Sequence, residues 1–340
     1  MNIRSALAQL FERNDLSQEQ TREVFGEVMS GNTTPAQIGA LLAALRVKGE
    51  TPAEIAGAAE AMRTLSTKVE VNVPYLVDTC GTGGSGAKLF NISTAAAFVT
   101  AAAGAKVAKH GNRKMTSTSG SADVLEAAGV NIELAPAQIA RCIEEVGVGF
   151  LFAQAHHSAM RFAGPVRQEL GARTMMNVLG PMTNPAGARN QLVGVFSREW
   201  QTIMAEVLKL LGADHVLVVH SNGLDEITLE SPSHVVELKG GRITEYQIEP
   251  GDFDIDSASH DGLRADSPAS SLALMKQSLT QPDSTAADIV SLNAGAAIYA
   301  SGVATNLANG VIMAQDAIAA GLANERLEEL IRISRLMAES

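Results

Sequence analysis

Positive charge is scarce in this chain, and so is cysteine. The 340 residues carry 26 Lys and Arg against 37 Asp and Glu, a formal net charge of −11. A general nucleic-acid surface needs a basic face, so that class of function is disfavoured. One small polyanion remains compatible, because local charge can oppose net charge. The two cysteines, Cys80 and Cys142, have no CxxC spacing, which removes the usual zinc patterns. Few cysteines also suit a reducing compartment, and the cytoplasm is the expected location. No run of about 18 or more apolar residues lacks a polar break, so no membrane-spanning helix is expected. The first residues, MNIRSALAQLFERND, are amphipathic and acid-containing, unlike a signal peptide, and export is not expected. With 46% apolar and 19% charged residues the chain is globular, and long enough for one large domain plus a small one.

Residues 1–66 read as helices only. Ser17-Gln-Glu-Gln20 and Thr51-Pro-Ala-Glu54 have the form of capping boxes, and Thr34-Pro35 starts a helix the same way. Ile38–Leu45 is nearly all small or apolar, so that helix must be covered on several sides, by its own chain or by another subunit. From Val77 short β-branched strands alternate with alanine-rich helices, the pattern of an α/β domain with a mainly parallel sheet. Strands are expected at Tyr75–Thr79, Lys106–Lys109, Gly149–Ala153, Leu192–Phe196, His215–His220 and Val235–Leu238. Helices are expected near Thr94–Ala103, Ser121–Ala128, Pro136–Val146 and Glu199–Leu211. The stretch 239–285, rich in Asp, Ser, Gly and Pro, reads as irregular with one hairpin at most, and the tail from Ala286 to Met337 as helical.

The chain is organised around Thr79–Thr94, TCGTGGSGAKLFNIST. A strand precedes it and a helix follows it. Between them stand Gly81, Gly83, Gly84 and Gly86, where backbone N–H groups can crowd round an anion. GTGGSG satisfies G-x-G-x-x-G, but the helix starts late and no acidic residue follows about twenty positions on, as a dinucleotide site requires. No Gly-Lys-Ser/Thr occurs, so the P-loop is absent too.

Three further segments carry chemistry. Lys106–Lys114 is the most basic stretch of an acidic chain and leads into the hydroxyl-rich Thr116–Ser121, a combination that binds phosphate or pyrophosphate. Asp225 and Glu226 follow strand His215–His220. An adjacent carboxylate pair at a strand end suits Mg²⁺, although most such pairs are surface charge. Arg167 follows Gly164-Pro165, read as a helix start, and an arginine at a cleft recognises a carboxylate by two parallel bonds. The neighbouring His156 and His157 diverge on a helix, which argues against zinc.

These segments, in this order, resemble the anthranilate phosphoribosyltransferases of tryptophan biosynthesis. The similarity runs along nearly the whole chain. It is densest at GTGGSGAKLFNIST, AKHGNRKMTSTSGSADVLE, GFLFAQAHHSAM, PVRQELGARTMMNVLGPMTNPA and GLDE. The resemblance implies a small all-helical N-terminal domain (1–70, joined by helices from about 155–185) and a large α/β domain (71–340) with a mainly parallel central sheet. It also implies a cleft between them and a homodimer joined through the helical domains. Carried over by position, Gly81, Gly84, Ser85, Leu89, Asn91, Ile92, Ser93, Thr94, Lys109 and Ser121 would contact phosphoribosyl pyrophosphate. So would the loop His110, Gly111, Asn112, Arg113, Lys114, Met115, Thr116 and Ser117. Ser93, Asp225 and Glu226 would hold Mg²⁺, and Gly81, Asn112 and Arg167 would contact anthranilate. Lys109, Asn112 and Arg167 are the expected catalytic residues.

Four positions depart from the family pattern. Asp is usual where Ser85 stands, Thr is frequent at Leu89, and proline is common at Gln154 and Ser158. Two other readings share parts of this pattern, a pyrimidine nucleoside phosphorylase and a non-catalytic nucleic-acid-binding relative. The Asn112-Arg113 continuation fits the first poorly, and the acidic balance speaks against the second.

Overall fold

The computed structural model describes residues 1–84, 86–113 and 119–338. Four helices come first: α1 (Ile3–Phe11), α2 (Gln18–Met29), α3 (Pro35–Lys48) and α4 (Pro52–Leu65). At the start of α2, α3 and α4 the Ser17, Thr34 and Thr51 hydroxyls accept a backbone N–H three residues on. Gln20, Gln37 and Glu54 return the bond. Ile38, Leu41, Leu42 and Leu45 of α3 are all buried within this chain, so those four need no second subunit to cover them. Phe11 and Val47, 66% and 74% exposed, are the large apolar side chains that α1 and α3 leave open.

The sheet has seven strands in the order β3-β2-β1-β4-β5-β6-β7. These are β1 (Leu76–Thr79), β2 (Lys106–Gly111), β3 (Val148–Phe152), β4 (Asn190–Gly194), β5 (His215–His220), β6 (Ser233–Lys239) and β7 (Arg242–Ile248). The first five are parallel, and β6 and β7 add an antiparallel hairpin. The crossovers carry α5 (Ile92–Ala102), α6 (Ser121–Ala128), α7 (Pro136–Arg141), α8 (Ala153–His156), α9 (Met160–Leu170) and α10 (Glu199–Leu210). Four helices close the chain: α11 (Pro268–Thr280), α12 (Thr285–Ser301), α13 (Leu307–Ala319) and α14 (Leu322–Ala338).

Each face of the sheet has its own core. Leu192, Leu217 and Val219 point into a core shared with α5 and α11–α14. Val193, Val216 and Val218 point the other way, into a core continuous with α1–α4, α9 and α10. This alternation is what strands covered on both faces require. Arg63 of α4 reinforces the second contact, donating to the carbonyls of Met182 at 2.6 Å and Leu211 at 3.3 Å.

The structure corrects several sequence expectations. Pro165 does not start a helix; it lies inside α9, which begins at Met160. The strand expected at Leu192–Phe196 begins and ends two residues earlier. The expected helix Pro136–Val146 is α-helical only to Arg141 and then widens into a π-helical turn, Cys142–Val146. The stretch read as irregular holds β7 and the 13-residue α11. The latter opens on Ser267-Pro268, the same cap-plus-proline signal as Thr34-Pro35.

Glu54 ties the helical segment together from inside. Its Oε1 accepts the Leu16 N–H at 2.9 Å, and its Oε2 accepts the Thr51 N–H at 2.8 Å and Lys48 Nζ at 3.0 Å. The Glu54 side chain is 0% exposed, so removing it leaves the Leu16 and Thr51 N–H groups without their acceptor, while Lys48 keeps Asp15 at 2.6 Å. Glu54→Ala is expected to destabilise the fold by roughly 2–4 kcal/mol, through two backbone N–H groups left without an acceptor, read as a lower urea midpoint, where a mere surface ion pair would move it by under about 1 kcal/mol.

Candidate active site

β1 has β2 on one side and β4 on the other, so the chain leaves in opposite directions at this point. In an open α/β sheet, that reversal opens a crevice beyond the carboxyl ends of the strands. A cleft of ≈ 340 Å³ lies there, lined by the glycine loop after β1, the end of β2 with Asn112 and Arg113, and Leu224–Glu226 after β5. The first turns of α5 (Ile92–Thr94) and α6 (Ser121) also line it, which brings the positive ends of two helix dipoles to one cavity.

The glycine loop needs glycine for two reasons. Gly83, Gly84 and Gly86 have φ of +67°, +90° and +71°, a region other residues rarely adopt. At Gly81 the reason is space: a Cβ there would sit 3.0 Å from Asp225 Oδ2. The loop is pinned at successive residues. Thr82 N–H donates to Gly194 O at 2.8 Å, and Gly83 N–H to Asp225 Oδ2 at 3.0 Å. Arg173 Nη2 donates to Gly84 O at 3.0 Å while its guanidinium stacks over Phe196.

Lys109 forms the floor. It is 3% exposed, and its Nζ donates to Thr79 O at 2.6 Å and to Ser93 Oγ at 3.3 Å. Among the described residues no carboxylate lies in ion-pair contact with it. Desolvation pushes its pKa down, while Cys80, Asp78 and Glu226 nearby pull it back. Asp78 is buried beneath. One of its oxygens accepts the His110 N–H at 3.1 Å and the other accepts Asn184 Nδ2 at 2.8 Å. Burial still lifts its carboxyl to about 6. Burial likewise raises the Cys80 thiol far above its ordinary range, so it stays protonated in the cleft lining rather than acting as a nucleophile.

Asp225 and Glu226 present hard oxygens at the mouth of β5. Burial, with Asp225 alongside, raises the Glu226 carboxyl to about 8, against the pull of Lys109 and of a Ser93 backbone N–H. At neutral pH Glu226 therefore keeps a proton that a divalent cation would replace. The Ser93 hydroxyl stands on the same side of the cleft, bonded to Lys109. This donor set of two carboxylates and a hydroxyl fits Mg²⁺, a cation that selects oxygen ligands. Asp78, Cys80 and His110 also bring potential ligand atoms within 4.8 Å of one another. Both Asp78 oxygens are already engaged and the thiol is protonated, so that cluster is a poor host.

Asn112 and Arg167 line the same cleft. Burial lowers the pKa of the Arg167 guanidinium, and it makes no ion pair among the described residues. A half-buried cation with no anion of its own is a receptor for a carboxylate.

Every described residue assigned to the site from the sequence borders this one cleft. Ser85, Lys114, Met115, Thr116 and Ser117 lie outside the described residues. Two of the bordering side chains turn elsewhere. Arg113 pairs with Glu126 and Asp123 and lies over the Phe152 ring. The His110 ring donates from Nδ1 to Gly180 O at 3.1 Å and packs edge-on against His157. His156 is engaged separately, its Nδ1 donating to Thr67 O at 2.7 Å. Asn91 bonds Ser119 O and Ser271 Oγ, and Thr94 Oγ1 is buried without a partner among the described residues. Leu89 bridges to Arg264, which draws the 261–265 segment up to the glycine loop. Sequence reasoning gave no site role to Asp78, Asn184, Arg173 or the lining residues Met176, Asn177, Gly180 and Pro181. A signal was present for three of the last four, as the polar Asn177 and the Gly180-Pro181 turn inside MMNVLGPMTNPA.

Comparisons with known proteins agree along the chain. Residues 4–66 match the helical bundle domain of the glycosyl transferase family, and residues 73–324 match its a/b domain. The chain is 56% identical to the anthranilate phosphoribosyltransferase of Saccharophagus degradans, over 99% of this chain and 100% of that one. It is 54% identical to that of Hahella chejuensis, over 100% and 99%. Among solved structures, the enzyme of that name from Thermus thermophilus superposes with a TM-score of 0.92 at 43% identity, covering 97% of this chain and 99% of that one. The Saccharomyces cerevisiae enzyme, solved with PRPP and Mg, has a TM-score of 0.88 at 25% identity, covering 98% of each.

The histidines set a pH test. Burial, with His156 next to it, pushes the His157 imidazole from 6.5 down to about 4. Between those values the unfolded chain holds the proton and the folded one does not, so this contribution is complete above about pH 6.5 and is lost as pH falls through 4. The raised Asp78 and Glu226 carboxyls act in the opposite sense, so the difference between two proteins is the useful readout. From pH 7 to pH 4, the stability of His157→Gln relative to wild type should improve by roughly 2–3 kcal/mol in denaturant titrations. Parallel pH profiles for the two proteins would contradict the assignment.

Proposed function

The chain belongs to the anthranilate phosphoribosyltransferase family, and on that premise we propose how its residues transfer the phosphoribosyl group of 5-phosphoribosyl 1-pyrophosphate to the amine of anthranilate. The products are N-(5-phosphoribosyl)anthranilate and pyrophosphate, and the reaction serves tryptophan biosynthesis. One observation carries the reading. A glycine loop, a buried lysine and a carboxylate pair share a cleft with an arginine that has no ion-pair partner among the described residues.

The glycine loop, the N-termini of α5 and α6, and Lys109 bind the pyrophosphate and ribose side. The contacts assigned to Gly81, Gly84, Leu89, Asn91, Ile92, Ser93, Thr94 and Ser121 are supported by their all bordering this cleft. Ser93, Asp225 and Glu226 would hold Mg²⁺, which when bound neutralises charge on the pyrophosphate. Arg167 and Asn112 orient anthranilate, with its carboxylate on the guanidinium. The aromatic amine is neutral at pH 7, so its lone pair attacks C1 of the ribose without prior deprotonation, and once the N–C1 bond has formed the acidic nitrogen releases one proton to water or to the departing pyrophosphate. As the C1–O bond to pyrophosphate breaks, charge builds on the departing oxygen, where Lys109 stabilises it. Holding both reactants in one cleft removes the entropy of bringing them together.

The remaining organisation follows the same reading. Residues 1–70 with about 155–185 form the smaller unit, supported by the packing of α9 against α2 and α3. A homodimer forms through this unit, where Phe11 and Val47 are exposed. A groove in the same unit is lined by Pro35 and Ile38 of α3 and by Phe162, Pro165 and Val166 of α9. No described helix is long and apolar enough to cross a membrane. Two free, buried cysteines suit the reducing cytoplasm.

Loss of anthranilate fluorescence with phosphoribosyl pyrophosphate and Mg²⁺ measures the reaction. Arg167→Ala should raise the anthranilate KM roughly 10- to 100-fold, the value of a charged hydrogen-bonded contact. It should leave the KM for phosphoribosyl pyrophosphate nearly unchanged. An unchanged anthranilate KM would remove Arg167 from the second-substrate site.

A further inference from the structure

The side-chain amide of Asn112 can be oriented without ambiguity, because a backbone donor touches it. The Arg113 N–H donates at 2.8 Å to the Asn112 side chain, so the atom it meets is the oxygen, Oδ1. A second donor reaches the same atom. Gln154 lies in α8, immediately after the cleft-lining Ala153, and its Nε2 donates to Asn112 Oδ1 at 3.3 Å. An oxygen already fixed as an acceptor must face the nitrogen of Gln154, so that amide is oriented as well. Both lone pairs of Oδ1 are then used. Asn112 Nδ2 makes no hydrogen bond among the described residues. What Asn112 has left to offer a ligand is a donor.

Gln154 is exposed, so it is not there to fill a core. Among the described residues its one side-chain hydrogen bond is to Asn112, assigned above to anthranilate. Were the Asn112 amide to rotate by half a turn, Oδ1 would meet the ligand and repel a carboxylate. The Arg113 N–H alone opposes that rotation with one bond, and Gln154 adds the second.

We propose that Gln154 is a positioning residue that fixes the Asn112 amide with its NH₂ toward the cleft, so that the site selects an acceptor amine bearing an adjacent carboxylate over one that lacks it. The inference rests on the anthranilate reading above. It concerns a position where proline is common in the family, and it makes the selectivity of this chain dependent on a side chain that a proline does not supply.

The test compares two acceptors with the same aromatic amine, anthranilate and 2-aminobenzamide, at saturating phosphoribosyl pyrophosphate and Mg²⁺. The ratio of their kcat/KM values is measured for wild type, Gln154→Ala and Gln154→Glu. Gln154→Ala should lower the preference for anthranilate about three- to tenfold, the loss of one hydrogen bond, through the anthranilate KM. Gln154→Glu should lower it further, because a carboxylate cannot donate to Oδ1 and repels the substrate anion. The KM for phosphoribosyl pyrophosphate should not move in either variant. A general structural defect would reduce both acceptors in proportion, and such parallel losses would overturn the proposal, as would an unchanged ratio in both variants. If the wild type used neither acceptor, the anthranilate reading itself would fall, and the role of Gln154 with it.

Discussion

A lysine ammonium with no carboxylate in ion-pair contact among the described residues lies under the glycine loop, and the local structure follows from keeping it charged there. Burying an isolated cation costs several kcal/mol unless oxygens surround it. Lys109 is given the Thr79 carbonyl and the Ser93 hydroxyl, with Asp78 and Glu226 close enough to act through space. Those partners sit on three elements: β1, the first turn of α5, and the loop after β5. The charge therefore draws together the segments that line the cleft. It stays under-compensated, and that leaves room for a phosphate oxygen.

The carboxylates carry the complementary imbalance. Glu226 keeps its proton near neutrality because Asp225 and burial oppose its ionisation. A buried cation short of anions and a carboxyl pair short of a cation line one cavity. A metal-bound pyrophosphate satisfies both. Backbone packing holds the two halves in register. A Cβ on Gly194 would lie 1.7 Å from Asp225 O, so β4 and the Asp225 loop are in direct contact. The neighbouring Thr82 N–H to Gly194 O bond passes that contact on to the glycine loop. Each core covers one face of the sheet, so the strand ends that carry the loops are fixed from both sides.

Most of this was legible in the sequence where a local signal exists. The capping boxes at Ser17, Thr34 and Thr51, the strand His215–His220 and the helix Ser121–Ala128 stand as their residues imply. The glycine loop, Lys109 and the Asp225-Glu226 pair announce themselves by residue type at strand ends. What was illegible depends on partners far along the chain. Asp78 reads as one more strand residue until Asn184, 106 positions away, is seen to bond it. Arg173 has no local mark, since its partners are Gly84 and Phe196. Strand β7 is missed because it lies at the sheet edge with mostly solvated side chains, which weakens its alternation. Arg113 shows the converse. Its type and neighbourhood suggest a phosphate contact, yet Glu126 and Asp123 take up its charge.

Calorimetric titration of phosphoribosyl pyrophosphate with Mg²⁺, in the absence of anthranilate, addresses the role of Lys109 most directly. The comparison is between wild type and Lys109→Met, a variant of similar side-chain length confirmed as folded by its circular dichroism and cooperative unfolding. If the buried ammonium is completed by the pyrophosphate, the wild type binds one equivalent per chain and the variant binds at least about 30-fold more weakly, as expected when one partner of a buried charge pair is removed. Equal affinity in the two proteins would contradict the account, because the charge around which the cleft is built would then have no part in holding its substrate.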